Sequence, residues 1–167
     1  NLKTDQLAAL STGQVSVLTT DELQGLTTSG LVALSSAQVG ALKSDQVVSL
    51  NSDQLRAIET GDIKALSTAA LRGLDTDQLN ALKSTQLQSL TSGQVSALST
   101  DQVQSLTTAN LNALTTDQLG RFSTGQVKAL TTEQINNLST GNLNALGTGQ
   151  FAALNSDQVA ALTTAQV

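Results

Sequence analysis

The chain is an uninterrupted series of eight-residue units, and this repeat constrains its fold more than any other feature. Leucine, replaced once by Ile and once by Phe, recurs every eight residues from Leu2 to Leu162. A second apolar column, from Leu7 to Val167, contains only Leu, Val, Ile and Phe, and no residue is inserted or deleted anywhere. Since free loops tolerate insertions, the constant spacing indicates that every residue has a fixed place in a repeating architecture.

Polar columns lie between the apolar ones. The column from Thr4 to Thr164 is Ser or Thr in all 21 copies, and the column that begins at Gln6 is Gln in 15 of 21 copies. A further column, from Ala9 to Ala161, holds mostly small residues. The chain has no His, Cys, Met, Trp, Tyr or Pro and only two Phe, so its core must be built from aliphatic side chains.

One continuous α-helix does not fit this repeat, because eight residues advance a helix by about 80° beyond two turns and would make the leucine column spiral. A short helix in each unit fits better. Ser11 and Gln14 have the spacing of a capping box, with Thr12 as an alternative cap. Val15 and Leu18 then share one helical face.

The predicted fold is therefore all-α: a solenoid of short helices, one per repeat, with an eight-residue period. Each helix of about six residues is too short to persist alone and must pack its Leu and Val against other units. A β-solenoid is the alternative, because Thr and Val favour strands. The Val-x-Ala-Leu spacing breaks the alternation of a strand and favours helices. The number of units per coil cannot be derived from the repeat.

Residues 1–167 are predicted to form a single continuous array of about 21 octapeptide units. The pattern is already under way at Asn1 and still running at Val167, so we expect this array to be part of a longer one. The net charge of −5 provides no basic footprint for nucleic acid, and no apolar run approaches the roughly 20 residues of a membrane span. We therefore predict no nucleic-acid partner and no membrane insertion.

Few residues are candidates for a catalytic or metal-binding site. Lys43 and Ser44 are interpreted as a solvated lysine beside a capping serine, since catalysis by Ser usually needs a base such as His. Carboxylates close in sequence are interpreted as charges at helix starts, because no Ca²⁺ ligand set recurs; they are Asp21 with Glu22, Asp45 with Asp53, and Asp75 with Asp77. We predict that the chain is not an enzyme and has no catalytic, metal or cofactor site.

Four smaller features are interpreted as parts of the repeat. Gly147–Gly149 substitutes within the columns and lacks the Gly-Lys-Ser/Thr of a phosphate loop, and Phe122 takes a leucine position beside Arg121. Arg56, Lys64 and Arg72 are expected to form a short basic stripe on a solvated edge. The Ser/Thr column is interpreted as a row of helix caps, with a surface that binds glycans or ice as the alternative.

Segments such as Leu98–Val103 and Leu154–Val159 resemble octapeptide-repeat arrays of giant bacterial exoproteins of the type labelled haem-utilisation or adhesion. The resemblance implies an extracellular or cell-surface protein in which the array serves as a stalk, spacer, filament or adhesive surface. Association of copies end to end or side by side is then expected. The haem label finds no support in the residues, because the four usual iron ligands, His, Met, Cys and Tyr, do not occur.

Overall fold

The structure, a computed structural model, describes residues 2–167; Asn1, the first residue of the predicted array, lies outside them. Within residues 2–167 the chain forms 20 α-helices, one per octad, and no β-strand. The predicted all-α solenoid is confirmed, and the alternative of a β-solenoid is wrong. The prediction that Val15 and Leu18 share a helical face is wrong in one respect, because the leucine column lies at the corner after each helix: Leu18 follows the helix Thr12–Val15, and Leu74 follows the helix Thr68–Gly73.

Each helix has four to six residues and begins at the Ser/Thr column. In chain order the helices are α1 (Thr4–Ala8), α2 (Thr12–Val15), α3 (Thr20–Gln24), α4 (Thr28–Val32), α5 (Ser36–Gly40), α6 (Ser44–Val48), α7 (Ser52–Ala57), α8 (Thr60–Ile63), α9 (Thr68–Gly73), α10 (Thr76–Ala81), α11 (Ser84–Ser89), α12 (Ser92–Ala97), α13 (Thr100–Ser105), α14 (Thr108–Ala113), α15 (Thr116–Leu119), α16 (Thr124–Ala129), α17 (Thr132–Asn137), α18 (Thr140–Asn144), α19 (Thr148–Phe151) and α20 (Ser156–Ala160).

Two residues in extended conformation form the corner between the longer helices. Between α9 and α10 these are Leu74, with φ −60° and ψ 135°, and Asp75, with φ −73° and ψ 174°. No residue in the described range has a positive φ. The corner therefore needs no glycine, which explains why residues such as Lys83 and Thr91 occupy it as readily as Asp75.

Helices that are neighbours in space are three and four units apart along the chain. Contacts join α4 to α7, α6 to α9 and α13 to α16, each pair three units apart. Side-chain hydrogen bonds from α6 to α2 and from α12 to α8 span four units. One turn of the solenoid therefore contains between three and four octads.

A single aliphatic core runs along the solenoid. From Leu7 to Leu143 every residue of the second apolar column is at most 1% exposed, and the leucine column is buried from Leu34 to Leu146. Phe122 is buried in the leucine column, as predicted from the sequence. Neither column could be buried by one unit alone, so each helix owes its order to the coils around it.

In the part of the chain that the structure describes, no helix combines the length and the apolar character needed to cross a membrane.

Candidate functional site

The polar side chain that recurs in most units is the third residue of each helix, which belongs to the Gln column. In α12 the backbone N–H of Thr91 donates to Oε1 of Gln94 at 2.8 Å, and the N–H of Gln94 donates to Oγ1 of Thr91 at 3.2 Å. This reciprocal pair is a capping box. The capping box predicted from Ser11 and Gln14 is likewise present, with distances of 2.9 and 3.2 Å.

The capping side chain belongs to the residue before the Ser/Thr column. Ser11, with φ −70° and ψ 160°, accepts the N–H of Gln14, while Thr12 is the first residue of α2. The prediction that the Ser/Thr column caps the helices is therefore wrong by one position. An N-cap residue must have extended backbone for its side chain to turn back to the helix, and Thr12 already has helical backbone.

The other end of the Gln amide crosses to the neighbouring coil. Nε2 of Gln94 donates to the carbonyl oxygens of Ile63, at 3.1 Å, and Leu66, at 2.8 Å, both in the unit four positions earlier. Other Gln residues of this column bond to two carbonyls in the same way. This glutamine row consists of Gln38, Gln46, Gln54, Gln78, Gln86, Gln94, Gln102, Gln118, Gln126, Gln134, Gln150, Gln158 and Gln166.

The glutamine row solves a problem that very short helices create. A helix leaves its first N–H groups and its last C=O groups without partners, and a helix of four to six residues consists almost entirely of such ends. One Gln accepts the N–H at the start of its own helix and donates to two carbonyls at the end of a helix in the previous coil. Within residues 2–167 every buried side-chain nitrogen and oxygen has a hydrogen-bond partner.

Sequence reasoning found the capping half of this arrangement and missed the half between coils. A signal was available, because Glu completes a capping box as well as Gln does. The column nevertheless holds Glu once, at Glu22, against 15 Gln. A carboxylate has no N–H to donate, so this preference indicates that the amide nitrogen has a role of its own.

Two units replace the Gln by Asn and use a different bonding scheme. Nδ2 of Asn110 donates to the backbone oxygen and to Oδ1 of Asn80, at 3.0 and 3.1 Å. Oδ1 of Asn80 also accepts the cap N–H of Thr107 at 3.0 Å, which is the bond that a Gln at position 110 would have made. Asn142 pairs with Asn112 in the same way. We refer to Asn80 with Asn110 and Asn112 with Asn142 as the asparagine pairs.

Four further units have no amide in this column, where they hold Glu22, Gly30, Asp62 and Ala70. Ala70 is fully buried, and its N–H donates to Oγ of Ser67 at 3.0 Å. No side chain in the described range donates to the carbonyls of Val39 and Leu42, which a Gln at position 70 would reach. In the preceding unit, the carboxylate of Asp62 accepts a hydrogen bond from the hydroxyl of Ser36.

The acidic residues lie where the sequence predicted, at helix starts. Asp75 is the N-cap of α10 and accepts the N–H of Gln78 at 2.8 Å. Oε2 of Glu22 accepts the N–H of Thr19 at 2.8 Å. The remaining acids named from the sequence lie in the first turns of their helices; they are Asp21, Asp45, Asp53 and Asp77. Across residues 2–167 no three His, Cys, Asp or Glu side chains are grouped so that they could hold a metal ion.

The basic stripe expected from Arg56, Lys64 and Arg72 does not form. These exposed residues lie at the ends of α7, α8 and α9, three successive helices. Units align along the solenoid only at separations of three and four, so successive units present their side chains on different sides. The eight-residue spacing that suggested a stripe therefore separates the three cations.

The other candidates occupy ordinary places in the repeat. Lys43 is the exposed N-cap of α6, and Ser44 is the first residue of that helix. Gly147–Gly149 supplies the N-cap and the first two residues of α19, where the N–H of Gly147 donates to Oε1 of Gln150. At Lys43 and Gly147 the residue has no side-chain acceptor, and the Gln alone completes the cap.

The hydroxyl groups of the Ser/Thr column face outward. In the described range, only Ser36 and Thr60 of this column form hydrogen bonds through their hydroxyl groups, to Asp62 and, at 3.4 Å, to Thr85. Most members of the column are exposed. Capping does not explain why the column is constant, and its hydroxyls remain available to solvent.

Comparison with known families gives one result that spans most of the chain. A family model described as the ALTTAQ repeat matches six overlapping or successive segments, each about four octads long: residues 20–52, 55–92, 78–108, 90–124, 108–140 and 135–167. No curated protein matches the sequence.

Proposed function

This chain belongs to the ALTTAQ repeat family, and from that premise we propose that it is a structural segment of a secreted or cell-surface bacterial protein. In this role it is a stalk, spacer or filament-forming array, with adhesion as a consequence of the surface that it presents. It performs no catalysis. The residues that carry the function are those that bond one coil to the next.

The bonding of successive coils by the glutamine row is the observation that supports this proposal. Its members tie each coil to the previous one by pairs of hydrogen bonds from Gln38 to Gln166. The aliphatic core beside them is buried without a break from Leu34 to Leu146. Stability in such an array is close to additive along the stack, so length can be adjusted by changing the number of octads.

Solution scattering tests the structural role. We expect residues 1–167 to scatter as an elongated particle with a helical circular dichroism spectrum. Insertion of four more octads should lengthen the particle by about 10 Å, which is the thickness of one layer of helices. A particle that grows equally in all directions, or a chain that scatters as a random coil, would contradict the proposal.

The location of the protein tests the proposal that it is secreted or lies at the cell surface. An antiserum raised against residues 1–167 should label the surface of intact producing cells or the culture medium. Brief treatment of whole cells with protease should remove the signal. Labelling that appears only after the cells are lysed would place the protein inside the cell and contradict this part.

The outward-facing hydroxyl column favours a second candidate function, a regular surface that binds glycans or ice. Its hydroxyls are exposed and for the most part not used by the fold. Replacing Thr68, Thr100 and Thr132, which are exposed and lie four units apart on one side of the solenoid, by Val removes hydroxyls while keeping the side-chain shape. Thermal hysteresis or binding on a glycan panel that the Val variants lose would support this function. Blank results with the unaltered chain would eliminate it.

A further inference from the structure

The bonding between successive coils is interrupted at two consecutive helices, α8 and α9. From Gln38 onward the third helical residue is Gln or Asn in every unit except these two, which hold Asp62 and Ala70. A Gln at either position would donate to two carbonyls of the previous coil. No side chain of residues 2–167 reaches those carbonyls, which belong to Leu31, Leu34, Val39 and Leu42. We call α8 and α9, with α4 and α5 beneath them, the open flank.

The helices on both sides of the open flank are bonded to the previous coil. Gln54 of α7 donates to the carbonyl of Leu23 at 2.9 Å, and Gln78 of α10 donates to that of Leu50 at 2.8 Å. One turn contains between three and four octads, so the open flank takes up two of them and α7 and α10 border it. From α10 to α20 every helix carries Gln or Asn at this position.

Apolar contacts continue across the open flank, but polar ones almost cease. Leu34, Leu42 and Ile63 are buried there, as in the rest of the core. The hydrogen bond from Ser36 to Asp62 is the one polar side-chain contact between the two coils at this flank within residues 2–167. Burial of apolar surface is not directional, whereas a hydrogen bond fixes both distance and angle. The core therefore holds the coils together here without fixing how closely they approach.

The corner carbonyls of the open flank also favour contact with water. Elsewhere the leucine carbonyl at the corner has the Gln amide as its partner, as Leu66 has Gln94. The carbonyls of Leu34 and Leu42 accept no hydrogen bond from residues 2–167. Because a buried carbonyl without a partner is costly, an opening that admits water to these two groups costs less than it would at a bonded flank.

The bonding pattern is already irregular at the edge of the open flank. Every other member of the glutamine row donates to the carbonyl 31 residues earlier. Gln78 instead donates to Val48, 30 residues earlier, at 2.8 Å. Gly73, at the end of α9, lies so close to this valine that an added Cβ would be 2.8 Å from its Cγ2. The coil that contains the open flank therefore departs from the regular register.

We propose that the solenoid bends at this place: the open flank widens and closes, while the bonded helices α7 and α10 beside it act as the hinge. The inference rests on the proposed structural function, because a stalk or filament with one flexible point can present its far end at several angles. The open flank lies inside the array, so the hinge does not depend on what precedes or follows residues 1–167.

Spin labels on two coils test the hinge, and the absence of Cys from the chain means that introduced cysteines carry the only labels. Ala37→Cys with Gly93→Cys places labels on exposed residues of α5 and α12, two coils apart across the open flank. Gly93→Cys with Gly149→Cys is the matched pair, with the same 56-residue separation across bonded coils only. Pulsed electron–electron double resonance measures each distribution of distances, centred near the thickness of two helix layers, about 20 Å.

We expect the distribution for the labels at positions 37 and 93 to be about twice as wide as that for positions 93 and 149, since a region with fewer hydrogen bonds opens more easily. The double substitution Asp62→Gln, Ala70→Gln supplies the missing donors and should narrow the first distribution without changing the second.

Removal of two donors elsewhere should have the opposite effect. The double substitution Gln118→Ala, Gln126→Ala removes the amides of α15 and α16, two consecutive helices, and creates an equivalent flank between positions 93 and 149. It should widen the second distribution and leave the first unchanged. Circular dichroism checks that each variant is folded, and this variant keeps the test valid if the Gln substitutions at positions 62 and 70 prevent folding.

Equal widths for the two label pairs in the otherwise unaltered chain would overturn the inference. So would widths that neither double substitution changes. Equal widths in a particle that scatters as an elongated helical rod would remove only the hinge and leave the proposed structural role in place. A particle that is not elongated would contradict that role, whatever the label distances are.

Discussion

At the residue scale, the two ends of the Gln amide have separate roles, and substitution by Glu separates them. In Gln94→Glu the carboxylate still accepts the N–H of Thr91, but it no longer donates to Ile63 and Leu66 and instead faces their carbonyl oxygens. Since removing a buried partner leaves polar groups unsatisfied, we expect a loss of about 3 kcal/mol in the free energy of unfolding. Urea denaturation followed by circular dichroism measures it.

Gln14→Glu is the matched control, because Gln14 makes the same capping bond and donates to no carbonyl of the described chain. This variant should change the free energy of unfolding by less than about 0.5 kcal/mol, the range usual for surface substitutions. Equal losses for the variants at positions 14 and 94 would show that capping alone explains the Gln column.

Ala70 offers the reverse test. The substitution Ala70→Gln would supply the missing donor to the carbonyls of Val39 and Leu42, as Gln78 of the next unit does for the carbonyls of Val48 and Leu50. We expect a gain of about 1 kcal/mol in the free energy of unfolding. Ala69→Gln, on the exposed second residue of the same helix, should leave stability unchanged. A destabilised Ala70→Gln variant would show that this unit cannot open enough to admit the side chain.

The sequence predicted the capping half of the Gln chemistry because that half is local: Ser11 and Gln14 are three residues apart. The carbonyls that Gln94 reaches are 28 and 31 residues away. That separation depends on the number of units per turn, which an eight-residue period does not encode. The constant Ser/Thr column predicts the cap one residue too late, because constancy does not distinguish an N-cap from the first residue of a helix. The true cap column contains Lys43 and Gly147, since Gln already satisfies half of the cap.

At the element scale, the asparagine pairs show that a helix can be attached to the previous coil in a second way. Nδ2 of Asn110 donates to the backbone oxygen and to Oδ1 of Asn80, and the same Oδ1 accepts the N–H of Thr107. The contributions of Asn80 and Asn110 to stability should therefore not be additive. A double-mutant cycle of Asn80→Ala and Asn110→Ala should give an interaction energy of about 1 kcal/mol or more. Thermal and urea unfolding of the four proteins measures it.

Asn144 provides the control for this cycle. It is exposed and forms no side-chain hydrogen bond in the described range. The same cycle with Asn144→Ala in place of Asn80→Ala should be additive within about 0.5 kcal/mol. Coupling of similar size in both cycles would mean that the α10–α14 contact is not specific to the asparagine pair.

The existence and type of the elements were predictable, and their partners were not. Short helices with two-residue corners follow from the spacing of Val15 and Leu18 and from the capping signal at Ser11. The pairing of α10 with α14 does not follow, because each helix is nearly identical to the others and no single unit identifies its neighbour. The asparagine pairs carry that information, since Asn110 and Asn142 each have an Asn 30 residues earlier.

At the scale of the whole molecule, the solenoid should tolerate the insertion of a whole octad but not the insertion of part of an octad. A copy of residues 99–106 inserted after Leu50 preserves every column and should leave the unfolding midpoint unchanged or slightly raised. A single Ala inserted at the same place shifts all later columns by one residue and should lower the midpoint markedly. Equal effects of the two insertions would contradict the stacked architecture.

The same octad inserted after Leu90 gives a sharper comparison. It also preserves the columns, but it moves Asn110 away from Asn80 and places it opposite Gln88. We expect this variant to be about 1 kcal/mol less stable than the one extended after Leu50. Identical stability would show that the asparagine pairs do not select which units stack.

The number of octads per turn, between three and four, makes the solenoid resemble an α-helix in which each octad plays the part of one residue. A side chain that recurs at the same position of every octad therefore winds around the axis of the solenoid, as Arg56, Lys64 and Arg72 do. An amphipathic solenoid would need its pattern at separations of three, four and seven octads, or about 56 residues for the full period, by the arithmetic that governs helix faces. Asn80, Asn112 and Asn144, at steps of four octads, already follow one side of the solenoid.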